Sequence, residues 1–120
     1  MNSIQSKLQY VGKAFSEAVS ASYHYFRPQD RFPCLVWQED GEDGSFHANN
    51  HKEEQAIHGT TDYFTQTEWD PAVDLIQATL ENIGAAWTLN SVQYEEETRL
   101  IHYEWDWTVI DVEEEEDGEI

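Results

Sequence analysis

The sequence predicts an α+β fold: two helices packed on a mostly antiparallel, twisted sheet of about four to five strands, in the order helix, two or three strands, helix, two strands. Three observations carry that reading. Ile4, Leu8, Val11, Phe15 and Val19 recur at steps of three and four, one apolar stripe of a helix. Ala72, Val73, Ile76, Leu80 and Ile83 form a second such stripe. Near the end, Ile101, Tyr103, Trp105, Trp107 and Val109 alternate with His102, Glu104, Asp106 and Thr108. Five large apolar residues on one side of a strand mark a core sheet that the helices must cover.

The first helix starts near Ser3 and fades by about Ser20, and Gly12 weakens it enough that it must pack on something to persist. Residues 21–32 read as a connector rich in aromatics (Tyr23, Tyr25, Phe26, Phe32), with Pro28 inside it and Pro33 at its end. Cys34-Leu35-Val36-Trp37 is a short apolar strand led by Pro33, whose missing N–H matters least at a first position. Asp40 to Gly44, with two glycines, predicts a turn, and Phe46 to Asn50 a returning strand. Residues 47–55 are polar and predict a mobile connection or a long hairpin arm. Ile57 to Thr65 alternates as a strand that buries Ile57 and Tyr63. The second helix has Asp70 as N-cap, Pro71 at the first helical position and Gly84 at the left-handed C′ position. Trp87 to Tyr94 is then a strand, Glu95 to Thr98 a turn, and Arg99 to Val112 the closing strand.

With 120 residues the chain is one domain, 1–112, followed by an acidic tail, 113–120, predicted to be disordered. The apolar content is 39%, with five Trp, six Tyr and five Phe, enough for a core. The net charge is −19, which argues against nucleic acid or an anionic membrane as the main partner. Charge is uneven. Residues 1–31 hold Lys7, Lys13, Arg27 and Arg31 against Glu17 and Asp30, whereas the remainder holds Lys52 and Arg99 against 23 acids. Copies could therefore attract head to tail, or the acidic part could face a basic partner. A solvated acidic surface explains solubility equally well.

Cys34 is the only cysteine, which excludes an internal disulfide and suits a reducing compartment; its apolar neighbours predict a buried structural thiol. No apolar run reaches membrane-span length, and the start of the chain lacks a signal-peptide core, so neither a membrane anchor nor export by its own signal is expected.

Few residues suggest chemistry. His47 and His51, with Glu53, Glu54 and His58 nearby, offer metal ligands, and a helix would place the first two on one face. Asn49, Asn50 and the preceding glycines favour a loop or strand, and no third ligand stands at a characteristic spacing. A polar loop is the better reading. Glu104 and Asp106 share a strand face, but among 25 acids such a pair arises by chance. There is no phosphate-binding glycine loop and no nucleophile motif. No enzyme and no cofactor is predicted.

Several segments resemble the tail-completion, or tail-terminator, proteins of siphophages and their prophages, encoded in the head–tail joining region. They are Tyr23-His-Tyr-Phe, Phe32-Pro-Cys-Leu-Val-Trp-Gln-Glu-Asp-Gly, Ile57-His-Gly-Thr-Thr-Asp-Tyr-Phe-Thr, Asp70-Pro-Ala-Val-Asp-Leu-Ile-Gln-Ala-Thr-Leu and Leu89 to Trp107. The similarity covers about residues 4–112 and rests on order, length and aromatic placement. The resemblance implies a homo-hexameric ring that caps the tail tube protein, stops its polymerisation and docks on the head connector and completion proteins. It implies a place in the virion tail, at the head–tail junction, after synthesis in the host bacterial cytoplasm. In such a ring an acidic inner wall would let DNA slide without sticking. No position-by-position interface motif carries over.

Two surfaces are expected to serve the contacts. Arg27 and Arg31 would meet the acidic surface of a neighbouring copy, against the alternative of local salt bridges. Gly41, Glu42, Asp43, Gly44 and Ser45, with the stretch to Gln55, would project as an arm that orders on a partner. The alternatives are an acidic DNA mimic that inhibits a nucleic-acid-binding enzyme, another neck protein of the head–tail joint, and a small enzyme with a carboxylate site.

Overall fold

Along the chain run α1 (Ile4–Ala18), β1 (Ser22–His24), β2 (Cys34–Ala48), β3 (His51–Thr65), α2 (Ala72–Asn82), β4 (Ala86–Glu95) and β5 (Leu100–Val109). This computed structural model describes residues 3–48 and 51–110, with the backbone alone over 43–48 and 51–54. The predicted acidic tail therefore lies outside the described residues. The five strands form one sheet in the order β1-β2-β3-β5-β4, antiparallel except for β1 beside β2. The α+β architecture expected from the sequence is the one observed.

Register shows why both helices share one face. Trp37 pairs with Thr61 and Thr61 with Trp105, while Gly59 pairs with Trp107, so these side chains point the same way. Phe15 of α1 packs on Trp37 and Trp107, at ring-centroid distances of 5.9 and 6.4 Å. Ile76 and Leu80 of α2 join the same core, as do the expected Ile57 and Tyr63. Gly59 makes room for Trp107: a Cβ there would lie 2.2 Å from the indole. The buried Trp107 N–H donates to Thr61 Oγ1 at 2.8 Å, and Trp105 N–H to Gln77 Oε1 at 3.0 Å.

The helix ends follow local chemistry. Ser3 Oγ accepts from Ser6 N–H and caps α1. Asp70 stands one residue before Pro71, and its Oδ1 accepts the Ala72 N–H at 2.9 Å. Its Oδ2 accepts both the Tyr63 and Thr65 hydroxyls at 2.7 Å. Burial would raise this carboxyl, yet those three donors hold it below the usual carboxylate range. Gly84 takes φ 78 after α2, as a left-handed C′ residue does.

Three expectations need correction. The connector 21–32 is not structureless: Ser22–His24 forms the edge strand β1. The apolar stripe of α1 omits Lys7, which is buried and donates from Nζ to the Gln55 carbonyl at 3.0 Å. A long side chain can lie along apolar surface and still reach an acceptor. The predicted turn at Asp40–Gly44 is the interior of β2, and Phe46 to Ala48 continues that strand instead of returning. Bulges between Glu39 and Gly41, and between Glu42 and Ser45, take up the glycines and acids that suggest a turn.

Candidate interaction surface

The hairpin β2–β3 outruns the rest of the sheet. β5 stops pairing with β3 at Ile57–Val109, whereas β2 and β3 stay paired to Ala48–His51. At about 3.3 Å per residue, the six residues from His51 to Ile57 carry this arm roughly 20 Å past its neighbours. Of the two sequence readings for residues 47–55, the long hairpin arm is the observed one. Gly41 and Glu42 lie at its root; Asp43, Gly44 and Ser45 run along it inside β2, not in a loop. The side chains of His47 and His51 lie outside the described residues.

At the root, Asp40 gathers three partners: Thr60 Oγ1 at 2.6 Å, Gln38 Nε2 at 2.9 Å and His58 Nδ1 at 3.4 Å. Burial would raise its carboxyl, but these contacts hold it low.

Above the arm, α1 and the β1–β2 edge enclose a groove of about 410 Å³. The His24 ring lies between Tyr25 and Trp37, with centroids 3.8 and 3.9 Å away and near-parallel planes. Its Nε2 is 2.7 Å from Glu39 Oε1, and the Tyr25 hydroxyl donates to Glu39 Oε2. Tyr25 takes φ 83, a left-handed conformation that costs an ordinary residue roughly 1–2 kcal/mol. The stack and the carboxylate hold it there. Burial would raise the Glu39 carboxyl, but the Tyr25 and His24 bonds keep it below its ordinary value. The Tyr25 phenol is raised, chiefly by its bond to Glu39. α1 reaches this edge because residue 12 is glycine: a Cβ would stand 2.8 Å from the Trp37 ring.

Arg27 lies at the other end of β2 from Gly41–Ser45, so the expected contact residues do not form one patch. Its guanidinium sits 4.3 Å over Phe64 and 5.4 Å over Phe32. Phe64 stacks on His102 at 4.3 Å, and His102 Nε2 is 2.7 Å from Asp62 Oδ1. A cleft of about 220 Å³ opens there beside Gln93 and Glu95. Arg31 is exposed, and among the described residues neither arginine forms an ion pair. Cys34 is fully buried, and burial pushes its thiol up against an opposing pull from Arg27.

The surface that sequence reasoning missed is the outer edge of β4. Leu89, Val92 and Tyr94 are 40, 50 and 61% exposed. They pair across to Trp105, Tyr103 and Ile101 and therefore share the core face. The available signal was the absence of charge from Ala86 through Tyr94.

Among the described residues, no group of three or more His, Cys, Asp or Glu side chains could hold a metal ion, and no helix is long and apolar enough to cross a membrane. No family model matches the chain, and no curated protein matches it in sequence.

Proposed function

We propose that the chain is a structural assembly protein of the tail-completion kind: a ring of copies that caps a tail tube and joins it to the head connector, without catalysis. The observation that carries this reading is the two-stranded arm reaching past a two-layer body of one sheet and two helices; arm and body together measure 55 × 34 × 22 Å along the principal axes. A ring needs heterologous contacts, one patch on a different patch. An arm laid on the next body supplies one, and the Arg27 platform, a cation held on aromatic rings in a chain of net charge −19, offers a seat for a neighbour's acid. Those features, together with the segment resemblance over residues 4–112, support the role.

The test is assembly on a purified siphophage tail tube protein. The full chain should stop tube growth and appear as a ring at the tube end by electron microscopy. A variant with residues 46–54 replaced by Asn-Gly, which closes a two-residue hairpin between the paired Ser45 and Gln55, should fold and fail to cap. Equal capping by both proteins, or capping by neither, sinks the reading.

A further inference from the structure

We infer that the outer edge of β4 is a self-association surface, and that its occupant is the same strand of a second copy, paired antiparallel about a two-fold axis. The inference does not rest on the tail reading.

The first argument is electrostatic. Charged residues make up 26% of the chain, and its net charge of −19 drives copies apart. β4 spans ten residues and carries one charge, Glu95, at its end. Edge strands are usually protected by lysine, proline or inward charges, and β4 has none of them. The opposite edge is different: three-residue β1 covers its upper part, and Glu39, Asp40 and Glu42 guard β2 below it. Within β4 an equally acidic copy meets an acid only at Glu95, and the two carboxylates beside the strand, Glu81 and Glu104, are already held by the Trp87 N–H and the Ser91 hydroxyl.

The second argument is register. Leu89 pairs with Trp105 and Ser91 with Glu104, so Asn90 is an extra residue in β4. A bulge shifts side-chain alternation by one. Trp87 and Leu89 before it, and Val92 and Tyr94 after it, consequently fall on one face. A regular strand pairs antiparallel with itself through a residue facing its own copy. The bulged strand instead places the axis between Asn90 and Ser91. Trp87 then lies opposite Tyr94 of the second copy, and Leu89 opposite Val92. Glu95 falls opposite Ala86, so the two Glu95 carboxylates stand at opposite ends. Each copy's exposed apolar row covers the other's, and the open N–H and C=O groups of both edges are satisfied together.

The experiment uses the full chain. Sedimentation across a concentration series should show a species of twice 14.0 kDa. Val92→Lys sets a charge against each Leu89, and should return the mass to the monomer while leaving the far-UV spectrum unchanged. Register is read by cysteine pairing. Leu89→Cys and Val92→Cys proteins, mixed and mildly oxidised, should form a cross-linked dimer, since directly opposed Cβ atoms lie about 5 Å apart. Neither variant alone should, and buried Cys34 stays unreactive. A monomer at every concentration overturns the inference. A dimer or larger ring without the 89–92 cross-link, or one unaffected by Val92→Lys, overturns it too; in the ring case the tail reading stands alone.

Discussion

The two edges of this sheet manage the same hazard by opposite means. On the β1–β2 side a short strand, two bulges and a run of acids close the edge to other chains, and Tyr25, His24 and Glu39 lock its corner. On the β4 side the backbone is open for ten residues broken by one bulge at Asn90, and its side chains are uncharged up to Glu95, with Leu89, Val92 and Tyr94 exposed. An acidic copy is turned away from one edge and not from the other, so the two edges of the sheet are not equivalent.

The strongest way to break the comparison is to remove the frame that both edges share. Gly59→Ala sets a methyl group 2.2 Å from Trp107 and 2.7 Å from the Gln38 carbonyl, where neither backbone nor a buried indole can yield. The expected loss is about 3 kcal/mol by urea unfolding. A loss under 1 kcal/mol would mean that β3 and β5 do not pack as described.

A smaller effect separates the edges. Gly12→Ala pushes on Trp37 from α1, at a cost partly offset by the better helix propensity of alanine; the net expectation is a loss of about 1 kcal/mol with an altered near-UV spectrum. Glu39→Gln, which weakens the bonds to Tyr25 and His24, should cost somewhat under 1 kcal/mol. Acid sharpens the contrast. The contacts of Glu39 and Asp40 hold both carboxyls below their ordinary values, so they stabilise the fold fully above about pH 5 and progressively less as pH falls through their folded values. The Glu39→Gln protein should show a shallower loss of stability in that window. Equal slopes for the two proteins would contradict the role given to Glu39.

The least effect on stability belongs to the open edge. In the Val92→Lys background, where the protein is a monomer, Tyr94→Thr should leave the unfolding free energy within about 0.5 kcal/mol, because the ring is mostly solvated in the single chain. A loss above 1 kcal/mol would show that the ring is packed.

The elements with strong periodicity were legible: both helices, the alternation of β3 and the aromatic face of β5 are properties of neighbouring residues. Gly84 was legible because a left-handed C′ residue is local chemistry, whereas Asp70 reaches the Ala72 N–H from one residue further out than expected, since α2 begins at Ala72 and Pro71 takes the N-cap position. The interior of β2 was not. Asp40-Gly41-Glu42-Asp43-Gly44 has turn composition, and only pairing with β3 keeps it extended, through bulges that no single strand announces. β1 escaped because three residues have no period, and it exists by docking on Leu35 to Trp37. Of the contact residues, Arg27 was visible as a charge, but its seat on Phe64 joins residues far apart in sequence. The β4 edge was hidden because its exposure depends on which elements leave the sheet uncovered, not on the residues of β4 alone.

Lys7 gives the arm a mechanical meaning. Its ammonium is fastened to the Gln55 carbonyl, where the hairpin leaves the body, and the rest of its helix is bedded on Trp37 and Trp107 through Phe15. Any load on the hairpin tip is thus carried into the helix, as a guy rope carries strain from a mast to its footing, and cutting that tether by Lys7→Met would let the mast sway while the ground stayed firm.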